Sequence, residues 1–428
     1  LRVIAEFVAT NWITWGIAIA ATAGVVIHPF ESSEYVWAVG GAALLVLCGL
    51  LSITDAMAGV GKGTDVYLFL TGMMLLAEVA RHEGLFDWMA AGAARHARGS
   101  ARRLFSLICA VGTVVTIFLS NDATAVVLTP AVAASVKAAK AREPLPYLFT
   151  CAFIANAASF VLPISNPANL VLYSSRMPPL LLWLSRYELP SLLAIVVTYV
   201  VLRWTQRARL AQPIDSDIEM PALSGGGKLA AVGIAGTALV LLTSSALGMQ
   251  LGLPTFLAGV ATVLIVLPGS KHGLKDILRE ISWDVLPLVA GLFVMAEALE
   301  KTGVTNDLGS MLHQLSQRSV ALAAWLDGIV LAVVCNLMNN LPAGLIAPSI
   351  LQVSKAPERL RTVALIAVDL GPNLSVTGSL ATILWLSALR REGQRVDAWT
   401  FLKLGALVMP PALLLALAAA LAFDHPFK

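Results

Sequence analysis

Two short polar clusters hold most of the chemistry open to this chain: Ser120-Asn121-Asp122 and Asn339-Asn340. No charged residue lies between Leu104 and Ser120, or between Ala123 and Val136. A carboxylate at such depth in a membrane costs about 2.5–3.5 kcal/mol on insertion scales, so it is usually kept for a job. Amides carry donors and acceptors together, and hydroxyls do the same. A cage of such groups suits a small, neutral, polyhydroxylated solute. A dicarboxylate or phosphate would want cationic partners or several helix N-termini, and no Lys or Arg clamp stands in these clusters. The expected contacts are Ser120, Asn121, Thr124, Asn156, Ser165, Asn166 and Asn169 from the first half of the chain. The second half supplies Asn339, Asn340, Asn373, Thr377, Gly378 and Ser379. Asp122 and Asp369 suit proton coupling, each loading a proton on one side and releasing it on the other. The tips that carry Asn121 and Asn340 are expected to form halves of one site.

The elements that must position these groups are membrane helices. Hydrophobic residues make up 58% of the chain and charged residues 13%, with a mean hydropathy of +0.80; soluble domains carry about 25% charge. Uncharged runs such as Phe7–Phe30, Tyr35–Thr54 and Leu404–Phe423 match the roughly 20 residues that cross a bilayer. A net charge of +3 then concerns loop orientation rather than nucleic acid. No cleavable signal peptide is expected. Cys48, Cys109, Cys151 and Cys335 form no CxxC pair and read as small buried hydrophobes.

The chain repeats itself. A shift of 219 places Asp65 on Asp284, Gly72 on Gly291, Glu78 on Glu297, Gly84 on Gly303 and Asn121 on Asn340. Such duplication is common in transporters. Around each polar cluster the uncharged arms are short: 104–119 and 123–136 in the first half, 328–338 and 341–353 in the second. They read as two re-entrant helical hairpins with polar tips. Each is followed by a broken helix, interrupted at 156–159 and 163–169, then at 369–373 and 377–379. A shift of 212 aligns Ser165 with Thr377 and Asn166 with Gly378. The expected fold is an all-α membrane protein, with about 10 transmembrane helices and two re-entrant hairpins in an inverted repeat. Its first half is 1–203: scaffold helices 1–64, transport elements 65–175 and helix 189–203. A cytoplasmic linker, 204–227, follows. The second half is 228–428: scaffold helices 228–270, transport elements 283–389 and the last helix 404–423. Five loops hold 19 of the 29 Lys and Arg, which puts those loops in the cytoplasm and both termini outside. Residues 83–99 read as an amphipathic surface helix. Glu78 and Glu297, near helix ends, read as structural.

Enzyme signatures are missing. The sequence has no Walker A loop and no His-Glu-x-x-His, so no ATP hydrolysis of its own is expected. The six histidines, His28, His82, His96, His272, His313 and His425, scatter over expected loops and span ends and point to no metal site or other cofactor.

Five stretches resemble the ArsB arsenite/antimonite efflux permeases of the ion transporter superfamily: 119–130, 154–159, 164–169, 338–342 and 369–385. The match covers essentially the whole chain. It implies a multi-pass plasma (inner) membrane protein that exports As(III) and Sb(III). The drive would come from the proton gradient or from a partner ArsA-type ATPase. It further implies scaffold and transport domains, an elevator-like movement and frequently a homodimer. Arsenous acid is an uncharged trihydroxide at neutral pH, in agreement with the neutral cage. Family members often carry Asp and Lys where this chain has Asn156 and Asn373; if those two residues face each other, an ion pair is replaced by two amides. A cation/proton antiporter on the same scaffold is the alternative reading.

Overall fold

Serines at matched positions start the helices that lead to the polar clusters. Ser100 Oγ accepts the Arg103 N–H at 3.4 Å, and Ser319 Oγ accepts the Leu322 N–H at 3.2 Å. Each supplies an acceptor for a donor the helix start leaves open, and the two are 219 residues apart, the spacing of the repeat. A computed structural model describes residues 2–27, 32–173, 177–270 and 273–422, without the side chains of 2–10, 26 and 27. His28, His272 and His425, and the expected span ends Phe30, Ser175 and Phe423, lie outside the described residues.

Among the described residues the regular structure is helical, apart from one bridge between Ser100 and Pro213. The first half runs α1 (Arg2–Ile27), α2 (Glu34–Leu47), α3 (Ile53–Lys62), α4 (Thr64–His82), α5 (Leu85–His96) and α6 (Ala101–Phe118). It continues with the single turn α7 (Asn121–Ala123), α8 (Thr129–Ala138), α9 (Leu145–Ala157), α10 (Pro167–Tyr173) and α11 (Leu180–Thr205). The second half repeats this order: α12 (Gly225–Ala246), α13 (Gly252–Val266), α14 (Leu274–Glu280), α15 (Val285–Lys301) and α16 (Val304–Arg318). Then come α17 (Val320–Met338), α18 (Asn340–Val353), α19 (Glu358–Leu370), α20 (Leu380–Arg391) and α21 (Ala398–Ala422). Gly84 and Gly303, aligned by the repeat, both take the left-handed conformation at φ 73° and 83°, where glycine has no Cβ penalty. Each turns the chain from a long helix into the next one, α5 or α16.

Among the described residues, six helices are long and apolar enough to cross a membrane, or up to eight if each bent pair counts as one span. The bent pairs are α3 with α4, at 47°, and α14 with α15, at 42°. These lengths do not establish the expected ten crossings. The first arm of each hairpin is longer than its uncharged run. Helix α6 has 18 residues and α17 has 19, about 27 and 28.5 Å at 1.5 Å per residue. Charge does not end a helix; capping does, so α6 includes Arg102 and Arg103 and α17 runs through Asp327. In the first hairpin the return arm begins with a π-turn, Thr124–Leu128. It precedes Pro130, which cannot donate to the helical ladder. Helix α5 lies where an amphipathic helix was expected, with its apolar face packed on α6 and α8.

The halves interlock. Helix α4 packs on α13 of the other half, and α15 packs on α2 of the other half. Gly72 lies against the backbone of Thr255 and Gly291 against that of Ala38, so close that a β-carbon at either position would collide. The linker between halves is tied to the base of the first hairpin. Ile214 N–H donates to Gly99 O at 3.1 Å and Asp215 N–H to Ala139 O at 2.8 Å. Lys140 Nζ donates to Asp215 at 2.9 Å, and that bond holds the Asp215 carboxyl below its ordinary range.

Gly72→Leu or Gly291→Leu is expected to lower stability by about 1–3 kcal/mol, the usual cost of overpacking. Gly236→Ala, in open space, is the neutral control; melting of detergent-solubilised protein followed by size exclusion checks both. The Lys140–Asp215 tie, present above the ordinary aspartate range, is lost as pH falls through the lowered value. Asp215→Asn is therefore expected to speed tryptic cleavage at Arg207 and Arg209 at neutral pH, read by gel densitometry.

Candidate functional site

Each broken helix exposes peptide groups that must be satisfied inside the protein. The side chains at the breaks do this work. Ser165 Oγ donates to Ile117 O at 3.1 Å, and its repeat partner Thr377 Oγ1 donates to Asn336 O at 2.9 Å. Both hydroxyls thus close the end of a hairpin's first arm. Asn169 Nδ2 donates to Ser159 O at 2.9 Å and to Leu162 O and Pro163 O at 3.4 Å. Asn336 is the corresponding hub of the second half. Its Nδ2 reaches Gly371 O at 2.9 Å, and its Oδ1 accepts Ser375 N–H at 2.9 Å and Ser375 Oγ–H at 2.7 Å. Gly378 lies against Pro372 and the Asn336 side chain with no room for a β-carbon.

The two breaks meet each other through buried polar pairs. Asn156 Nδ2 donates to Asn373 Oδ1 at 3.1 Å and to Thr382 Oγ1 at 3.3 Å, and Asn156 Oδ1 accepts Ser379 Oγ–H at 3.2 Å. Asn373 Nδ2 donates in turn to Phe153 O at 2.9 Å. So residues 156 and 373 do face each other, as two amides. Asp369, fully buried, accepts Ser159 Oγ–H and Asn166 Nδ2–H, each at 2.8 Å. Both donors come from the first half, so Asp369 is a cross-half link.

The hairpin tips are capped alike. Ser120 Oγ accepts Ala123 N–H at 3.1 Å and Asn339 Oδ1 accepts Leu341 N–H at 3.2 Å. Thr124 Oγ1 bonds Thr116 Oγ1 across the first hairpin at 2.8 Å. Asn121 Oδ1 accepts Asp122 N–H at 3.0 Å. Among the described residues, the Asn340 side chain and the Asp122 carboxylate have no hydrogen-bond partner. The first tip packs on α20 of the second half, and α18 packs on α10 of the first.

A small cavity of about 70 Å³ opens beside the first tip, lined by Ser120, Asp122, Pro167, Glu78, Glu280 and Ser282 among mainly apolar neighbours. Nothing from the second hairpin lines it. Glu78, His82 and Glu280 hold one possible ligand atom each within 4.8 Å of one another, a grouping that scattered histidines had not foretold. Arg81 bonds both Glu78 and Glu280, so a guanidinium already supplies the positive charge a metal would bring. Glu297, the repeat partner of Glu78, pairs with Lys62 at 2.6 Å. Cys109, Cys151 and Cys335 are buried as expected, whereas Cys48 is exposed. Asn336 and Glu280 escaped the sequence reading because their repeat positions carry no matching polar residue.

The family model described as a citrate transporter, CitMHS, matches residues 32–371. An arsenical pump membrane protein of Escherichia coli is 27% identical over 408 residues, covering 89% of this chain and 91% of that protein. Its counterpart in Yersinia enterocolitica is 27% identical over 400 residues, covering 88% and 91%. The crystal structure of the Alcanivorax borkumensis YdaH transporter matches with a TM-score of 0.57 at 15% identity, covering 97% of this chain and 99% of that one. The fold is therefore a transporter fold, and the resemblance read from the five motifs is matched by relatives over most of the chain.

Asn156→Ala and Asn373→Ala are each expected to cost about 1–3 kcal/mol, because each strands its buried partner. The double variant should cost less than the sum by about 0.5–1 kcal/mol. Denaturation of the purified protein in lipid nanodiscs measures the cycle, and strict additivity would show that the amides do not act as a pair.

Proposed function

The chain is thus a multi-pass membrane transporter that belongs to the citrate transporter family, and we propose that it exports arsenite and antimonite, as neutral trihydroxides, in exchange for protons. One observation carries the choice of solute. The cavity at the first hairpin tip is lined by Glu78, Asp122 and Glu280 and by no Lys, Arg or His. Arg81 behind the two glutamates leaves the Asp122 carboxylate unmatched. Juxtaposed like charges cost several kcal/mol, so a citrate anion is disfavoured there. The volume also fits. About 70 Å³ is far below the roughly 300–1,000 Å³ of sites for larger small molecules, which favours a compact solute. The names of the relatives in Escherichia coli and Yersinia enterocolitica agree with an arsenical as cargo.

Asp122 is the proton carrier in this scheme, because its carboxylate faces the cavity without a partner. Solute contacts fall to Ser120 and Asn121 at the first tip and Asn340 at the second. The other predicted contacts, from Thr124 to Ser379, hold the breaks and tips in shape around them. The transport elements 65–175 and 283–389 would move as an elevator against scaffold helices 1–64, 189–203, 228–270 and 404–423. The distribution of basic loops supports a cavity that opens to the cytoplasm, where export would begin. An ArsA-type ATPase is the alternative power source, and a homodimer the assembly the resemblance implies.

Everted membrane vesicles test this directly. An acid-inside gradient is expected to drive accumulation of arsenite and not of citrate. Asp122→Asn should lower the gradient-driven rate by at least about a hundredfold, the lower range for loss of a proton-transfer group. Citrate accumulation, or full arsenite transport by the variant, would remove the proposal. Transport that survives collapse of the gradient when ATP is supplied would assign the drive to an ATPase.

A further inference from the structure

A much larger cavity lies away from the hairpin tips. It measures about 940 Å³ and lies between α1 of the first half and α16, α17 and α18 of the second. Its walls are apolar, with Leu312, Val330 and Ala347 among them, and Trp15 presents an aromatic ring. The indole is fixed by its N–H, which donates to Thr302 Oγ1 at 2.9 Å. One acid breaks the apolar lining. Asp327, in the middle of α17, lines the cavity, and its Oδ2 is buried without a hydrogen-bond partner among the described residues. Arg318 also lines the cavity, but it is an exposed residue at the end of α16 and no ion pair joins the two. The repeat offers no precedent: the first-half position matched to Asp327 is Ile108.

Buried polar atoms are ordinarily bonded, and one that is not calls for a partner. Acyl chains of a bilayer would satisfy the apolar walls of this cavity but leave the carboxylate bare. A cation with an apolar body satisfies both. The volume lies within the range of small-molecule sites, roughly 300–1,000 Å³, and an aromatic ring adds attraction for a positive charge. We propose that Asp327 is the anion of a binding site for a lipophilic organic cation, seated between α1 of one half and the second hairpin of the other. The site is separate from the arsenical path and does not rest on it.

Tetraphenylphosphonium and tetraphenylborate have one shape and opposite charge, so together they separate charge recognition from apolar filling. Equilibrium dialysis of the full chain in lipid nanodiscs is expected to show saturable phosphonium binding at one site, and borate binding no greater than in empty nanodiscs. Asp327→Asn should weaken phosphonium binding by about tenfold or more, equivalent to 1.4 kcal/mol, with unchanged elution on size exclusion. Val330→Trp, at an exposed wall position of the cavity, fills the space without touching the core. It should weaken binding as well, and it decides the matter if the aspartate variant does not fold. Equal binding of borate, or phosphonium affinity unchanged in a folded Asp327→Asn or in Val330→Trp, overturns the assignment.

Discussion

The constraint on which the rest depends is that no peptide group freed at a helix break can be left bare inside a membrane. Each such group costs several kcal/mol unless protein or water takes it up. This chain breaks two helices and turns two hairpins at depth, and it answers with short polar side chains. Ser165 and Thr377 close the ends of the hairpin arms at Ile117 and Asn336. Asn169 covers carbonyls at Ser159, Leu162 and Pro163, and Asn336 does so at Gly371. Most of the Asn, Ser and Thr content of the polar clusters is consumed in this way.

Subtraction then defines the site. A group already giving its donors to carbonyls has little left for a solute. What remains near the tips is small: the Asp122 carboxylate, the Ser120 hydroxyl proton, the Asn340 amide and the Nδ2 of Asn121. Three of these sit at one hairpin tip and one at the other, and the cavity touches only the first tip. A site made from both tips would therefore require the hairpins to shift relative to each other, which is what an alternating-access cycle provides.

Most of the fold could be read in the sequence, because its signals were local or periodic. The shift of 219 paired Gly84 with Gly303, and both take the left-handed conformation at equivalent turns. The breaks followed from Pro163, Pro167 and Pro372, which remove backbone donors. Arm lengths were misjudged because charge was taken as an end signal, whereas the capping hydroxyls of Ser100 and Ser319 set the starts. The site was less legible. Polar residues of one type, Asn and Ser, do both structural and solute-facing work, and spacing cannot tell which. The pairing of Asn156 with Asn373 was foreseen only as a condition, since it joins residues 217 apart in sequence. The approach of Glu280 to Glu78 gave no sign at all, because it arises from α14 of one half packing on α4 of the other.

The repeat is most informative where it fails. Lys62 meets Glu297 directly, whereas at the repeat-related site an acid, Glu280, stands near Glu78 and Arg81 bridges them. The linker straps the base of the first hairpin. Asp122 has Leu341 as its counterpart under the shift of 219, and Asp369 has Ala157 under the shift of 212. Each half therefore carries one unmatched acid among its polar clusters, and the two are treated differently. Asp369 is held by Ser159 and Asn166 of the other half, so releasing it would loosen the contact between the breaks. The Asp122 carboxylate has no hydrogen-bond partner among the described residues and lines a cavity. A group that changes charge during a cycle must be able to do so without undoing the fold around it. On that ground Asp369 reads as a fixed link between the halves, and Asp122 is the acid proposed to cycle.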